Sequence, residues 1–264
     1  MLTKEQIEEF RQIWKEEFGE EISYEYADER GEQLLELVRL VYGGKMKRNK
    51  ELKSTSSSIN TSRNYMELTE KIQKAIDLAS KLHLGQMRKS DKDLPYISHL
   101  FSVAWILSNY TDDQDIIVAG LLHDVLEDVK GYCYSDMERD FGTRVAKIVK
   151  GVSEDKDPND EGRKKMPWGE CKQKYIAGLE TDSRESLLVC AADKIHNLQT
   201  MIRHYQERKE DLWTSFSAPK DKQLWFYEEV FKALKSRLDG NIMEIYEKEL
   251  EKFRQVVEAP TISN

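Results

Sequence analysis

The nine residues LLHDVLEDV, at positions 121–129, constrain the fold of this chain more than any other stretch. Five of them are apolar, as expected of a buried helix. The other four are ionisable: His123, Asp124, Glu127 and Asp128. A core helix that carries this much charge needs a physical reason.

Helical spacing arranges the four ionisable residues in two pairs. Residues four apart share a face, so Glu127 lies one turn beyond His123, and Asp128 one turn beyond Asp124. A buried, unpaired carboxylate costs on the order of several kcal/mol, and the run contains no Lys or Arg. A divalent metal would remove that cost, because imidazole and carboxylate are suitable ligands. A salt-bridged helix with a hydrogen-bonded core histidine is the alternative.

Two other apolar segments contain an isolated residue of the metal-binding type. They are LPYISHLFSVAWIL, with His99, and SLLVCAADKIHNLQT, with Asp193. Asn197 shares the face of Asp193, because it lies four residues further on. Three helices that each bring such a residue into one core predict a metal site.

Three further histidines have weaker assignments. His83 ends a predicted helix, where it favours the negative end of the helix dipole. His196 lies three residues after Asp193 and is a candidate for orienting a ligand. His204 lies in the polar run RHYQERKE and is expected to be solvated.

The apolar periodicity divides the chain into three parts. Residues 1–45 form a small helical module, and the Lys- and Ser-rich residues 46–64 form a flexible linker. Residues 65–258 form the main, helical domain, in which no run of alternating strand residues stands out. Thr111 or Asp112 is expected to cap the helix that contains the charged run.

Composition excludes several classes of protein. The net charge of −8 over 264 residues argues against binding a nucleic-acid polymer. No apolar run approaches the length of a membrane span, and the N-terminus lacks the apolar core of a signal peptide. Three scattered cysteines form neither a disulfide framework nor a zinc pattern, so we expect a cytoplasmic protein.

The motifs together resemble a known family. The pattern H…HD…D is similar to that of the HD-superfamily metal-dependent phosphohydrolases. Residues 83–128, with DFGTRVAKIVKGVSED at 140–155 and LLVCAADKIHNLQTM at 187–201, resemble the hydrolase domain of RelA/SpoT-type enzymes and the stand-alone small alarmone hydrolases. The resemblance implies an all-α, HD-domain helical bundle, here with a small N-terminal helical module. It also implies removal of the 3′-pyrophosphate from ppGpp or pppGpp, which gives GDP or GTP.

The resemblance also implies roles for individual residues. The implied ligands of one divalent metal, typically manganese, are His99, His123, Asp124 and Asp193. Glu127 and Asp128 would act in catalysis, with Glu127 the better candidate for general base. The implied substrate-binding residues are Arg88, Lys89, Asn197 and Tyr227. Val129 departs from the family, which often has Thr or Ser after the Glu-Asp pair.

Alternatives to this function stay open at the level of sequence. An HD phosphohydrolase could act on another nucleotide, such as a dNTP or NADPH, because guanine recognition is not visible in the residues. A module that binds alarmone without cleaving it is a second alternative, although an intact Glu127-Asp128 pair argues against it. Residues 1–45 could bind a protein partner.

Overall fold

The computed structural model describes residues 3–18, 21–28, 68–154 and 166–259. The chain forms two compact units, Met1–Thr69 and Glu70–Asn264. The predicted linker, 46–64, and residues 29–45 of the predicted helical module lie outside the described residues. The domain boundaries drawn from the sequence therefore stay a prediction.

The first unit contains helix α1 (Lys4–Phe18), as its apolar periodicity predicts, and a second helix, α2, which includes residues 24–28. Ile7 and Ala27 are buried. The ring of Trp14 contacts that of Tyr26 edge-on, with centroids 6.1 Å apart. The Arg11 side chain donates a hydrogen bond to the carbonyl oxygen of Ile22.

The second unit is built mainly from helices, which confirms the all-α prediction. Its elements, in chain order, are α3 (Glu70–Leu82), β1 (Met87–Arg88), β2 (Asp91–Pro95), α4 (Ile97–Ser108), α5 (Gln114–Leu122), α6 (Val125–Asp128), α7 (Tyr134–Phe141), α8 (Thr143–Val152), α9 (Trp168–Leu179), α10 (Arg184–Arg208), a 3-10 helix (Lys209–Ser215), α11 (Lys220–Lys235) and α12 (Asn241–Glu258). The short antiparallel hairpin β1–β2 was not expected, and it pairs Met87 with Pro95 and Arg88 with Asp91.

Helix α10 is the central element of this unit. It packs against α4, α5, α8, α11 and α12. Its N-terminus is capped by Ser183, whose hydroxyl accepts a hydrogen bond from the backbone N–H of Ser186. The segment Leu187–Asp193 is buried without interruption. Among the described helices, none combines the length with the apolar composition that crossing a membrane requires.

Helix α5 is buried along Ile116–Leu122 and lies very close to α4. A Cβ atom added at Gly120 would lie 2.4 Å from Leu107 Cδ1, so glycine allows this approach. The predicted cap was wrong by one or two positions. Asp113 caps α5, because its carboxylate accepts from the N–H of Asp115, whereas the Thr111 hydroxyl accepts from the N–H of Asp113.

The charged run does not form the single helix that we expected. Helix α5 ends at Leu122 and α6 begins at Val125, with His123 and Asp124 in the turn between them. Asp124 adopts φ −91° and ψ −5°, at the edge of the helical region and as at the third position of a type I turn. His123 Nε2 and Asp124 Oδ2 lie 3.1 Å apart, and His123 Nε2 lies 3.7 Å from Asp193 Oδ1 on α10.

Candidate metal centre

Four side chains from three separate segments converge in the core of the second unit. His99 comes from α4, His123 and Asp124 from the turn after α5, and Asp193 from α10. His99 Nε2 lies 3.1 Å from Asp193 Oδ1, and His123 Nε2 lies 3.1 Å from Asp124 Oδ2. The two remaining imidazole–carboxylate distances are 3.7 Å. The structure therefore brings together all four residues that the sequence singled out as ligands.

The convergence point has the properties of a cation site. His99, His123 and Asp193 are only 1%, 3% and 7% exposed. His123 Nε2 is buried and lies 3.1 Å from Asp124 Oδ2 and 3.7 Å from Asp193 Oδ1, without good hydrogen-bond geometry to either carboxylate. Burial lowers the pKa of His123, but the two carboxylates raise it by more, so the net pKa lies well above its usual value. A metal ion bound here would displace that proton and use the nitrogen lone pair. Ligand atoms of His99, His123 and Asp124 lie within 4.8 Å of one another, so the donor set fits a divalent metal.

The carboxylates of the site are held ionised. Burial raises the pKa of the Asp193 carboxyl, but Lys194 and the two histidines lower it by a larger amount. The net pKa therefore lies well below its usual range. Lys194 Nζ donates to Asp193 Oδ2 at 2.6 Å, and Asn197 Nδ2 donates to Asp193 Oδ1 at 2.5 Å. Burial also raises the pKa of Asp124, but His123 lowers it by a larger amount, so the net pKa lies below its usual value.

The imidazoles are oriented by their other nitrogens. His123 Nδ1 lies 2.8 Å from the carbonyl oxygen of Gly120, and His99 Nδ1 lies 2.7 Å from His196 Nδ1. Burial lowers the pKa of His99 to about 4, so this ring is neutral near pH 7. A neutral imidazole has the lone pair that metal coordination requires.

Two of the predicted substrate-binding residues lie beside these ligands. Arg88, on β1, donates to Asn197 Oδ1 at 2.9 Å, and its guanidinium lies over the ring of Tyr96 at 5.2 Å. Asn197 in turn contacts Asp193, as described above. Hydrogen bonds therefore connect Arg88 to the metal centre through Asn197.

The other two predicted substrate-binding residues have different surroundings. Tyr227, on α11, is buried, and burial raises its pKa, with Lys194, Asp193 and Arg88 as neighbouring charges. Lys89 is exposed in the hairpin turn and lines a separate cavity of 350 Å³ with His204 and Arg208.

The two carboxylates predicted to act in catalysis have different partners. Glu127 Oε1 accepts a hydrogen bond of 2.6 Å from the backbone N–H of Glu154, whose own carboxylate is bound by Lys172. Asp128 is exposed, and its Oδ2 accepts from Gln86 Nε2 at 3.2 Å. Glu127 is therefore anchored by the segment after α8, and Asp128 by the segment after α3.

Sequence reasoning missed two residues that contact the ligands. The Tyr96 hydroxyl donates to Asp124 Oδ2 at 2.5 Å, and Lys194 binds Asp193. A Tyr three residues before a predicted ligand is only weak evidence in the sequence for a contact with the metal ligands. A Lys next to a predicted ligand does not share its helix face, so helical spacing does not predict their contact. The expectation that His204 is solvated was wrong. It is 3% exposed, and its Nδ1 lies 2.9 Å from the Ser90 hydroxyl oxygen of the unexpected hairpin.

A comparison with protein families assigns this fold and site to a class. The family described as HD domain matches residues 75–221, which is more than half of the chain. The chain belongs to the HD-domain family, as the resemblance indicated. Members of this family are divalent-metal-dependent hydrolases.

Individual relatives show which members of the HD-domain family this chain resembles. The bifunctional (p)ppGpp synthase/hydrolase SpoT of Escherichia coli K12 is 38% identical over 132 residues, which cover 50% of this chain and 18% of SpoT. The guanosine-3′,5′-bis(diphosphate) 3′-pyrophosphohydrolase MESH1 of Danio rerio is 34% identical over 130 residues, or 48% of this chain and 67% of MESH1. The chain spans only 16–18% of the length of the bacterial relatives.

A solved structure is similar over more of the chain. It is described as a metazoan ortholog of SpoT that hydrolyzes ppGpp and plays a role in starvation responses. It superposes with a TM-score of 0.57 at 26% identity and covers 72% of this chain and 97% of the other. The helical fold is thus shared with a solved HD-domain hydrolase.

Proposed function

We propose that this protein hydrolyses guanosine alarmones and removes the 3′-pyrophosphate from ppGpp or pppGpp to give GDP or GTP. The observation that supports this most is the convergence of His99, His123, Asp124 and Asp193 on one buried point of the second unit. The activities for which SpoT and MESH1 are named supply the choice of substrate.

The four converging residues would hold one divalent ion, which we propose to be Mn²⁺. When bound, such an ion lowers the pKa of water toward neutrality and neutralises charge on phosphate oxygens. Hydrolysis then forms a bond from the water oxygen to the 3′-α-phosphorus and breaks the bond between that phosphorus and O3′. The 3′ oxygen leaves with a proton.

Glu127 is proposed as the general base. The N–H of Glu154 donates to Glu127 Oε1, which fixes the position of the carboxylate that would accept the proton of the attacking water. A positioned carboxylate in this role contributes typically about 10²–10⁴-fold. Asp128 is proposed to orient the water from its position beside Gln86.

Arg88 is proposed to bind phosphate oxygens of the substrate. Its guanidinium is already held between Asn197 Oδ1 and the ring of Tyr96, so little side-chain entropy would be lost on binding. Guanidinium binds phosphate oxygens in a bidentate manner. Asn197, Lys89 and Tyr227 are proposed to complete the contacts to the ribose and base.

The proposal is tested with the purified full chain in Mn²⁺ and a panel of ppGpp, pppGpp, dNTPs and NADPH. Anion-exchange chromatography of the products should show GDP or GTP with equimolar pyrophosphate, and the other nucleotides should stay intact. A His123→Asn variant, prepared identically, controls for contaminating hydrolases. Phosphate release from NADPH or cleavage of a dNTP alone would contradict the substrate, and tight binding of ppGpp without any product would contradict the enzymatic role.

We further propose a cytoplasmic location, a protein-binding role for residues 1–45, and a linker at 46–64. A deletion of residues 1–64 should then leave turnover of ppGpp unchanged while a cross-linked protein partner is lost. A deletion that abolishes turnover in a folded protein would show that these residues belong to the hydrolase itself.

A further inference from the structure

A contact between two histidines of different helices lies directly behind the metal centre. His99 Nδ1, on α4, and His196 Nδ1, on α10, are 2.7 Å apart. At this distance one nitrogen must carry a hydrogen and the other must accept it. His99 is 1% exposed, whereas His196 is half-buried and lines a cavity of 460 Å³ beside α4.

Metal coordination by His99 would determine which of the two Nδ1 atoms donates the hydrogen bond. His99 Nε2 faces Asp193 Oδ1 at 3.1 Å and Asp124 Oδ2 at 3.7 Å, and coordination there requires its lone pair. A neutral imidazole has one N–H, which therefore lies on Nδ1 and donates to His196. His196 accepts on Nδ1 and carries its own hydrogen on Nε2.

His123 provides an internal comparison. Its Nδ1 faces the carbonyl oxygen of Gly120 at 2.8 Å, and a carbonyl oxygen can only accept. With a metal ion bound, both rings would direct an Nε2 lone pair to the same point, but a backbone group orients His123 and a side chain orients His99. A side-chain substitution can therefore remove the hydrogen-bond partner of His99, which is His196, but not that of His123, which is a backbone carbonyl.

We propose that His196 is a positioning residue, which fixes the tautomer and ring orientation of His99 for metal binding. This inference rests on the metal-dependent function proposed above, and it gives a role to a residue outside the ligand set. Outer hydrogen-bond partners of ligating histidines change metal affinity by about 10–100-fold when they are removed.

The test compares two substitutions at this position in the full chain. His196→Leu removes the acceptor, whereas His196→Asn places Oδ1 at the position of the histidine Nδ1. Gln199→Leu is the matched control, because Gln199 is exposed on the same helix and lines the same 460 Å³ cavity beside α4. Mn²⁺ is titrated calorimetrically into chelator-treated protein, and urea unfolding of each metal-free variant reports the stability of the fold.

We expect His196→Leu to weaken Mn²⁺ binding about 10–100-fold, His196→Asn to restore most of the affinity, and Gln199→Leu to bind as the wild type does. Unchanged affinity in His196→Leu would overturn the proposal. So would an equal loss in His196→Asn, because the effect would then come from packing. If the wild type binds Mn²⁺ but does not cleave ppGpp, the proposed substrate fails while this inference stands.

Discussion

The hydroxyl of Tyr96 donates a hydrogen bond to Asp124 Oδ2 across 2.5 Å. Tyr96 immediately precedes α4, and its ring also stacks on His83 and lies beneath the guanidinium of Arg88. One aromatic side chain therefore contacts both a proposed metal ligand and a proposed phosphate-binding residue. The position of the hairpin arginine is thereby linked to the position of the metal centre.

Removing this hydroxyl should weaken metal binding. In Tyr96→Phe the ring stays but Asp124 loses a donor that orients it, so we expect Mn²⁺ affinity to fall by about tenfold. Calorimetric titration measures the change. Tyr110→Phe is the control, because it deletes a hydroxyl at the opposite end of α4, about 18 Å along that helix. Equal affinities of wild type and Tyr96→Phe would show that the bond has no role in binding.

Substituting the proposed general base should separate catalysis from metal binding. Glu127→Gln keeps the acceptor for the Glu154 N–H but cannot take a proton, so kcat for ppGpp should fall about 10²–10⁴-fold. Its Mn²⁺ affinity should match that of the wild type. Asp128→Asn is the comparison, and it should lose less activity. Full turnover by Glu127→Gln would remove Glu127 from the mechanism.

The ion pair between Lys194 and Asp193 should contribute differently to stability with and without metal. Lys194→Met leaves the buried Asp193 carboxylate without its cation, which should lower the free energy of unfolding by about 3 kcal/mol in metal-free protein. Bound Mn²⁺ supplies positive charge to the same carboxylate, so the loss should be smaller in metal-loaded protein. Urea unfolding in chelator and in Mn²⁺ checks both values; an equal loss would contradict the shared-charge explanation. Lys232→Met, in an exposed pair on α11, should have little effect in either state.

The close approach of α4 and α5 should not tolerate a side chain. Gly120→Ala would place a methyl group 2.4 Å from Leu107 Cδ1, which is fully buried. We expect a loss of about 1–3 kcal/mol in the free energy of unfolding, together with weaker metal binding, since Gly120 also anchors His123. Gly169→Ala is the control, because a Cβ at that position in α9 meets nothing within 4 Å. Wild-type stability in Gly120→Ala would mean that the two helices separate at no cost.

Acid should weaken the cap of α5. The hydrogen bond from Arg144 lowers the pKa of Asp113 below its usual 3.8, so the bond stabilises the fold above pH 3.8. This contribution is lost as the pH falls through the lowered pKa, because the carboxylate is then protonated in both states. The stability difference between wild type and Arg144→Met should thus be largest near neutral pH and shrink below pH 3.8. Urea unfolding across pH measures it, with the exposed Lys147→Met as control; a constant difference would exclude this linkage.

Much of the helical fold and the placement of the site could be predicted from the sequence. Apolar periodicity is a direct signature of helices, and α1 lies within the segment where it predicted a helical module. A histidine or aspartate inside an apolar run, such as His99 or Asp193, is visible because burial without a partner is costly. The structure brings these side chains together, while their roles as ligands stay predictions.

The features that the sequence did not predict depend on tertiary contacts, which no local sequence pattern encodes. No Gly or Pro marks the break at His123 and Asp124, where both residues keep helix-like torsion angles. The β1–β2 hairpin has no alternation of polar and apolar residues and is defined by its backbone pairing. Because the hairpin was not foreseen, neither was the burial of His204 against Ser90.

The turn at His123 and Asp124 would make this dipeptide a bidentate chelator of the proposed metal ion. Two of the four proposed protein ligands are consecutive residues, so ordering one short backbone segment positions both donor atoms. The conformational entropy cost of ordering the backbone is therefore smaller than for two ligands on separate segments.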